Sequence, residues 1–484
     1  MSEMHAETVP FVRETMLPAA PPPAREAGAI RWLRNNLFSG PVNTVLTLLG
    51  LAVIWFLISH FWAWFAHSVW RADSLAECRQ IIAETWGEGA SGACFAVIRE
   101  RWHQYMFGFY PPELYWRPLM AFGLLMVALA PVLFSESRTI RRTVLIVSTA
   151  ATLILSVALG IPMPALILAA IVMIGAFFVA ERHAPWLLIF SALYPFLGVW
   201  LLWGGSVWGP LMVLASFGLG ALAWVIVARF APMLSAVAAI LVALIWWIGF
   251  SGNAAEDLQG LIPLGITPVA SDQFGGFLLA ITIGVAGIAL SLPMGIVLAL
   301  ARRSDMFLVK SLAVMFIEFI RGVPLISLLF VASLLLNYFL PPGTNFDIIL
   351  RVIIMVTVFA AAYMAEVIRG GLAALPKGQY EAADALGLDY WKAQRLIILP
   401  QALKISIPGI VSTFIGMFKD TTLVTFVGLF DPLKGISDFV RANFAWKGIY
   451  WEPFIFVGAI FFIICFSMSR YSMYLERRLA REHR

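Results

Sequence analysis

The chain has 484 residues, of which 61% are hydrophobic and 13% charged, and its formal net charge is +5. Soluble domains are about one quarter charged, so the composition excludes an ordinary soluble globular protein. The positive excess lies mostly in loops between long apolar runs, where it reports membrane orientation and not nucleic-acid binding. These features predict an all-α polytopic membrane protein whose surface faces mainly lipid.

The N-terminal residues 1–35 are polar and proline-rich, and we expect them to form a disordered cytoplasmic tail. They contain no apolar segment of the kind found in a cleavable signal peptide, so the first apolar run is expected to act as an uncleaved anchor. About twelve runs are long and apolar enough to cross a bilayer as helices. They lie at residues 43–66, 118–135, 143–159, 164–180, 186–204, 209–227, 232–249, 274–300, 309–338, 347–369, 405–428 and 452–474.

Lys and Arg in the short loops set the expected orientation. Basic clusters occur next to alternate ends of the runs, for example "RWLRNN", "SESRTIRR", "ARRSD" and the C-terminal "LERRLAREHR". With both termini in the cytoplasm, all of these clusters are cytoplasmic, and residues 475–484 form a basic tail. The loop 67–117 is then external. Its two cysteines, Cys78 and Cys94, can pair in an oxidising compartment, and two free thiols remain the alternative.

The apolar runs divide the chain into two parts. Residues 36–270 form an N-terminal transmembrane extension with almost no ionisable residue deep inside a run, whereas the five runs in residues 274–474 contain several. Charged side chains inside a bilayer are costly, and they usually face a cavity or a partner. We therefore expect function in the second part and a scaffold role in the first.

The charged residues of the second part fall into two groups. Candidates for a substrate path or a gate are Glu318, Arg321, Lys419 and Asp420. Neighbouring opposite charges can match a zwitterionic solute, although mutual pairing is the alternative. Glu366 and Arg369 lie at the cytoplasmic end of their run, and we expect them to brace the polar segment that follows it.

A polar segment at 377–402 interrupts the apolar second part and includes "EAADALGLDYWKAQRLIILPQA". Good helix formers precede Gly387, a natural break, and a second helical pattern follows until Pro400 ends or bends it. The segment thus predicts two short helices that meet at a glycine outside the membrane. A lid, a soluble insertion, a partner-docking element and an interfacial helix pair all fit this pattern.

The spacing of residues in the polar segment resembles a known family signature. Glu381-Ala382-Ala383, then Gly387 and Ile397-x-Leu399-Pro400, match the "EAA" signature of ABC-importer permeases. The flanking stretches "EFIRGVPL", "AEVIRGGLAALPKGQY" and "FKDTTL" resemble the polar amino acid permeases, the histidine, glutamine and arginine type. The resemblance covers residues 274–474 and implies a five-helix permease core of the type I ABC importers. The long N-terminal extension is similar to the M-type permease subunit of general L-amino acid importers.

The resemblance also implies a function. The chain would be the permease subunit of an ATP-driven L-amino acid importer in a bacterial inner membrane, without an ATPase site or cofactor of its own. ATP and magnesium would bind a partner ATPase, since this chain lacks the G-x-x-x-x-G-K-[ST] phosphate loop. The other implied partners are a second permease and a periplasmic solute-binding protein. Alternatives are an ion-coupled secondary transporter and a non-transport membrane scaffold.

In that family the polar segment is a coupling helix that sits in a cleft of the ATPase, which implies a role for individual residues here. The residues assigned to ATPase coupling are Tyr380, Glu381, Ala382, Ala383, Ala385, Leu386, Gly387, Leu388 and Pro400. A short rigid helix transmits a rigid-body rotation better than a loop, so a central cavity could open alternately to each side.

Overall fold

A computed structural model describes residues 28–134, 137–182, 184–335, 338 and 347–481. The chain separates into two compact units, one ending at Phe95 and the other beginning at Ala96. The second unit therefore contains most of the N-terminal extension together with the C-terminal part in which we expect the permease core.

From residue 28 onward, the first unit contains three helices, α1 (Gly28–Asn36), α2 (Pro41–Ala66) and α3 (Leu75–Trp86). Part of the tail predicted to be disordered is therefore helical, while residues 1–27 lie outside the described residues. Helix α2 is apolar all round, which suits a span that faces lipid. The Ser74 hydroxyl accepts the Glu77 N–H at 3.2 Å and caps α3. Cys78 and Cys94 form a disulfide within this unit.

The second unit begins with the helices that follow Phe95 in the N-terminal extension. These are α4 (Ala96–Phe107), α5 (Trp116–Leu133), α6 (Arg138–Ala158), α7 (Met163–Arg182), α8 (Ala184–Trp203), α9 (Trp208–Ala228), α10 (Ser235–Ile245) and α11 (Ser251–Leu261). Helices α10 and α11 are joined through a π-helical segment, Trp246–Phe250. A minimal antiparallel pair, β1 (Gly205–Ser206) with β2 (Gly265–Ile266), closes this region.

The C-terminal part contains the elements that position the candidate site. They are α12 (Gly276–Arg302), α13 (Phe307–Gly322), α14 (Leu325–Phe330), α15 (Ile348–Ala374), α16 (Lys377–Ala385), α17 (Tyr390–Ala393), α18 (Leu399–Asp420), α19 (Pro432–Ala442) and α20 (Trp451–Arg481). Helix α20 extends into the predicted basic tail, and residues 482–484 lie outside the described residues.

The long helices α12, α15 and α18 pack closely because small residues lie at their contacts. A Cβ added at Gly295 of α12 would lie 2.7 Å from the Met364 side chain of α15. A Cβ at Gly371 of α15 would lie 2.5 Å from the Ala402 carbonyl oxygen of α18. Small residues allow backbones to approach, which favours helix association where lipid supplies no hydrophobic drive between helices.

The predicted membrane spans correspond to helices in chain order. Within the described residues, ten helices are long and apolar enough to cross a membrane, and a bent pair would make eleven. The remaining predicted run, 164–180, lies in α7, where the described apolar stretch is Leu166–Val179. The predicted all-α polytopic fold is confirmed.

The predicted run 309–338 is not one straight helix. It breaks between α13 and the segment Leu325–Leu335, and the two pieces differ in direction by 101°. Pro324 explains the break, since proline lacks a backbone N–H and drives the preceding residue to an extended conformation. Val323 is indeed extended, with φ −103° and ψ 131°.

Candidate functional site

The polar segment begins with α16, which follows two extended residues, Leu375 and Pro376. The helix ends at Ala385, and Gly387 follows with a φ of +68°, in the left-handed region that favours glycine. The N–H of Leu388 donates to the Ala383 carbonyl at 3.2 Å, and the N–H of Gly387 donates to the Asp384 carbonyl at 2.9 Å. These bonds satisfy the end of the helix and fix a sharp turn. The predicted break at Gly387 is present.

The second half of the segment differs from the prediction of a separate short helix. Helix α17 continues through the π-helical segment Gln394–Ile398 into α18, so Tyr390–Val427 forms one continuous apolar helical run. Pro400 therefore does not end a helix; it lies in the first turn of α18, directly after the π-helical segment. A π-type bulge rearranges backbone hydrogen bonds, which accommodates the N–H that proline lacks.

The Asp389 side chain starts α17. Its carboxylate accepts the Lys392 N–H at 3.0 Å, and the Lys392 ammonium lies 3.0 Å from it. The backbone hydrogen bond from Lys392, joined by the lysine side chain, lowers the pKa of Asp389 below its ordinary value. The turn between α16 and α17 is thus held by a glycine on one side and a capped helix on the other.

The structure divides the residues assigned to ATPase coupling into an outer and an inner group. Glu381, Ala382, Ala385, Leu386 and Gly387 are exposed, with Leu386 73% exposed, and Pro400 is exposed as well. Ala383 is fully buried, whereas Tyr380 and Leu388 are half-buried. The exposed group shares the turn with two aromatic side chains that the sequence analysis did not assign, Tyr390 and Trp391, which are 52% and 70% exposed. Large exposed apolar side chains around a rigid turn are typical of a docking surface.

Tyr380 faces inward to the end of α12. Its phenol oxygen accepts a hydrogen bond from the Arg303 guanidinium at 2.9 Å. The same guanidinium nitrogen also donates to the Leu372 carbonyl at 3.2 Å, and the guanidinium carbon lies 5.5 Å from the centre of the Tyr380 ring. Tyr380 is therefore a tether for α16 rather than part of its exposed face.

An ion-pair cluster surrounds the buried carboxylate of Glu366 on α15. Arg302 of α12 lies 2.7 Å from it, Arg369 lies 3.0 Å and Arg321 of α13 lies 3.8 Å. Glu318 of α13 joins through Arg302 at 2.9 Å and Arg321 at 3.7 Å. The Glu366 side chain is 17% exposed and the Glu318 side chain 53% exposed. This charged end of the bundle, where α12 ends and α16 begins, is called the basic end below.

The cluster settles which predicted charges lie together. Glu318 and Arg321 pair along α13, and Arg369 pairs with Glu366 along α15, each three residues apart. The mutual pairing kept open as the alternative is therefore present for Glu318 and Arg321.

Lys419 and Asp420 lie elsewhere. Their neighbour Phe418 contacts Gly284, which precedes Arg302 by eighteen positions on α12. At 1.5 Å per residue, this places them about 27 Å along the helix from the ion-pair cluster. The four residues predicted as a substrate path or gate thus form two separate sites.

The contacts of Arg302 and Arg303 were not predicted from the sequence, in which "ARRSD" indicated only the orientation of the membrane spans. The available signal was that two acids, Glu318 and Glu366, lie inside apolar runs where an unpaired carboxylate is costly, which requires further basic partners. Spacing along one helix identifies i, i+3 partners but not a partner from another helix.

The chain is similar to known proteins over almost its whole length. Residues 291–481 match the family described as "Binding-protein-dependent transport system inner membrane component". The chain is 57% identical over 475 residues to the glutamate/glutamine/aspartate/asparagine transport system permease protein BztC of Rhodobacter capsulatus, covering 98% of this chain and 99% of that one. The chain belongs to the amino-acid ABC transporter permeases.

Other relatives cover the permease over different lengths. The inner membrane amino-acid ABC transporter permease protein YhdY of Escherichia coli is 34% identical over 95% of this chain and 96% of its own. A solved amino acid ABC transporter crystallised with histidines is 31% identical over 42% of this permease and 91% of that chain, with a TM-score of 0.37. As a member of this family, the permease is a multi-pass membrane protein and a transport subunit that is not itself catalytic.

Proposed function

We propose that this permease imports acidic L-amino acids and their amides, driven by ATP that a separate subunit hydrolyses. The name of the 57% identical relative, which covers the whole chain, supports this substrate class. Alternating access is the mechanism that the arrangement favours. ATP-driven closure of the partner moves the polar segment, and the helix bundle then opens to receive solute from the other side.

The observation that carries the coupling role is the rigid turn between α16 and α17. It combines a left-handed glycine, Gly387, with exposed Leu386 and Trp391, and it joins two long helical runs of the bundle. Apolar and aromatic side chains on a rigid turn suit insertion into a cleft of a partner protein. The partner we infer is the ATP-binding subunit, which binds ATP and magnesium, so this chain needs no cofactor.

The remaining partners and the orientation follow from the same proposal. The basic end faces the cytoplasm, together with both termini, in the inner membrane of a bacterium. A periplasmic solute-binding protein delivers the amino acid at the opposite end, and a second permease completes the pathway. An ion-coupled secondary transporter and a membrane scaffold both lack support, because neither needs an exposed, rigid turn for an ATPase.

Crosslinking tests the coupling role. In a chain with Cys465 replaced by Ala, Ala385→Cys places a reactive thiol on the exposed face of α16. We expect this thiol to crosslink to the ATP-binding subunit in the assembled complex, whereas a thiol at exposed Val297 on α12 stays uncrosslinked. Crosslinking to lipid-facing or periplasmic components instead would contradict the proposal.

An uptake assay tests the substrate class. Proteoliposomes that contain the whole complex should accumulate labelled glutamate, and unlabelled aspartate, glutamine and asparagine should compete with it. Leucine, whose apolar side chain is similar in size to that of asparagine, and arginine, whose side chain is larger and positively charged, serve as control competitors. Equal competition by all five amino acids, or uptake that persists without ATP, would overturn the proposed substrate class or the ATP dependence respectively.

A further inference from the structure

Arg302 is the last residue of α12 and Arg303 caps the helix, and the two side chains face different parts of the molecule. Arg303 bonds to Tyr380 on α16 at 2.9 Å, whereas Arg302 bonds to Glu318 and Glu366 at 2.9 and 2.7 Å. Successive residues of a helix point about 100° apart, so adjacent side chains reach separate partners. The last turn of α12 therefore contacts the polar segment and the ion-pair cluster at once.

Arg303 spans the joint between α15 and α16. Helix α15 ends at Ala374 and α16 begins at Lys377, and the linking residues Leu375 and Pro376 are both extended. One guanidinium nitrogen donates to the Leu372 carbonyl in the last turn of α15 and to the Tyr380 hydroxyl on α16. A group that bonds to both sides of a two-residue joint fixes the angle between the two helices.

Arg302 connects the end of α12 to α13 and α15. Its guanidinium contacts Glu318 of α13 and Glu366 of α15, and Arg321 of α13 lies 3.8 Å from Glu366 as well. The cluster contains three guanidinium groups and two carboxylates, and Glu366 is the one shared by all three arginines. Helices α12, α13 and α15 are thus held to one another at the end nearest the polar segment.

We propose that Arg303 is the positioning residue that makes α16 move with α12 and α15 as one body, and that Arg302 passes this movement to α13. This inference rests on the proposed ATPase docking at the turn between α16 and α17. Without Arg303, α16 pivots at Leu375 and Pro376. It then follows α18 instead, to which it is tied by Gln401 donating to Gln379 at 2.9 Å.

The alternative is that both arginines serve only as basic residues that fix orientation and anchor the helix end. The two roles make different demands on geometry. An anchor needs a positive charge near the interface, and lysine supplies it equally well. A joint needs donors that reach Leu372 and Tyr380 together, which a planar guanidinium provides and a point-like ammonium does not.

The functional test uses the complete complex in proteoliposomes. We expect Arg303→Gln and Arg303→Lys to retain co-purifying ATPase and ATP hydrolysis, while solute imported per ATP falls about fivefold, within the range that coupling mutations reach. Tyr380→Phe keeps the ring and removes the acceptor, so it should give a smaller loss. Combined with Arg303→Gln it should add little further, because both changes remove the Arg303–Tyr380 hydrogen bond, and only the long 3.5 Å hydrogen bond from the Tyr380 hydroxyl to the Leu372 carbonyl is then left to lose.

Lys310→Gln is the matched control, because Lys310 is an exposed basic residue of α13 near the same end. It should leave transport per ATP unchanged. Unchanged coupling in Arg303→Gln, or full rescue by Arg303→Lys, would overturn the proposal in favour of a simple anchor. Loss of ATPase co-purification in Arg303→Gln would also overturn it, since the residue would then support docking itself.

A distance measurement tests the joint without using activity. In a Cys465→Ala background, the distance between spin labels at Val297 of α12 and Gly378 of α16 reports how α16 is held relative to α12. Neither position is crowded, since Val297 is 65% exposed and a Cβ at Gly378 meets nothing within 4 Å. We expect one narrow distance distribution in the parent complex and a broad one in Arg303→Gln. Equally narrow distributions would refute a hinge. If the parent turn fails to crosslink to the ATPase, the proposed function fails, whatever these distances show.

Discussion

The two ends of the C-terminal bundle are held together by different interactions. At the basic end, α12, α13 and α15 meet through arginines and glutamates whose side chains are 17% to 53% exposed. At the opposite end, the backbone of α4 and its following turn interlocks with the start of α12. A Cβ at Gly108 would lie 2.3 Å from the Gly275 Cα, and the Gly276 N–H donates to the Phe430 carbonyl at 2.8 Å.

Aromatic side chains complete the opposite end. Trp446 is fully buried and donates to the Glu100 carboxylate at 2.5 Å, and Trp203 stacks on Phe274 with ring centres 4.5 Å apart. Burial raises the pKa of Tyr110 to about 12, and its hydroxyl donates to the Leu202 carbonyl at 2.8 Å.

The difference indicates which end can rearrange. Backbone contact at glycines admits no sliding, because any shift either opens a void or creates a clash. Ion pairs that are partly exposed can exchange partners, since water screens the intermediate arrangements. We infer that the opposite end is a fixed frame formed jointly by extension and core, and that movement during transport occurs mainly at the basic end.

The largest expected effect lies at the interlocked end. Gly108→Val adds a side chain where φ is +67° and a Cβ would already overlap Gly275, so we expect about 4 kcal/mol or more of destabilisation. The measurement is the yield of monodisperse protein extracted from membranes. Gly218→Ala in α9, where a Cβ meets nothing within 4 Å, is the control. A normal yield of Gly108→Val would show that the contact between Gly108 and Gly275 does not hold this end as a rigid frame.

A second prediction compares two carboxylates at the basic end. Glu366→Ala leaves several arginines around an empty, largely buried site, and we expect a loss of about 3 kcal/mol in the free energy of unfolding. Glu318 is 53% exposed, so Glu318→Ala should cost less than about 1 kcal/mol. Denaturant titration of the purified protein in micelles measures both. Equal losses of unfolding free energy would show that the burial of the carboxylate does not decide the cost of removing it.

A third prediction concerns the turn itself. A Cβ at Gly387 meets nothing within 4 Å, so Gly387→Val acts only through its φ of +68°, a strain of about 1–2 kcal/mol. We expect membrane insertion to persist while ATPase co-purification and transport fall. Gly378→Ala, on α16 with ordinary helical φ and equal open space, should change neither. A Gly387 variant that retains both the ATPase and transport contradicts the assigned role of this turn.

The smallest effect concerns the cap of α19 at the interlocked end. Asp431 accepts the N–H groups of Leu433 and Lys434 at 3.0 Å each, so Asp431→Ala should cost about 1 kcal/mol, whereas Asp431→Asn should cost a few tenths. Thermal unfolding of the purified chain measures both.

The same residue gives a pH test. Burial raises the pKa of Asp431, so the native state binds its proton more tightly than the unfolded chain does. The stability contributed by this group therefore falls as the pH rises from about 4, the ordinary pKa of aspartate, through the raised value. Asp431→Asn should remove that slope, and an unchanged slope would show that the group does not titrate differently on folding.

The sequence was most informative where one local rule decides the structure. Apolar length predicted the spans, Pro324 allowed a kink in the run that contains it, and Gly387 marked a turn, because each depends on neighbouring residues alone. The spacing of three residues allowed Glu318 and Arg321 to pair, as the structure shows, because that spacing also acts along one helix.

The errors share a different origin. Pro400 was expected to end or bend a short second helix, but the helix does not end there: it continues through a π-type bulge, and Tyr390–Val427 is one run. Lys419 and Asp420 were grouped with Glu318 and Arg321 by charge, although about 27 Å of helix separates them. The charge of a residue and its helix propensity do not specify where that residue lies along the axis of a helix bundle.

The amino-acid sequence by itself determined the membrane class, the number of apolar runs and the turn at Gly387, since hydrophobic length and glycine or proline chemistry act over a few residues. Tertiary structure decided that Arg302 and Arg303 face two different partners and that α4 interlocks with the start of α12. Those contacts join residues far apart in the chain, and only the packing of helices brings them within reach.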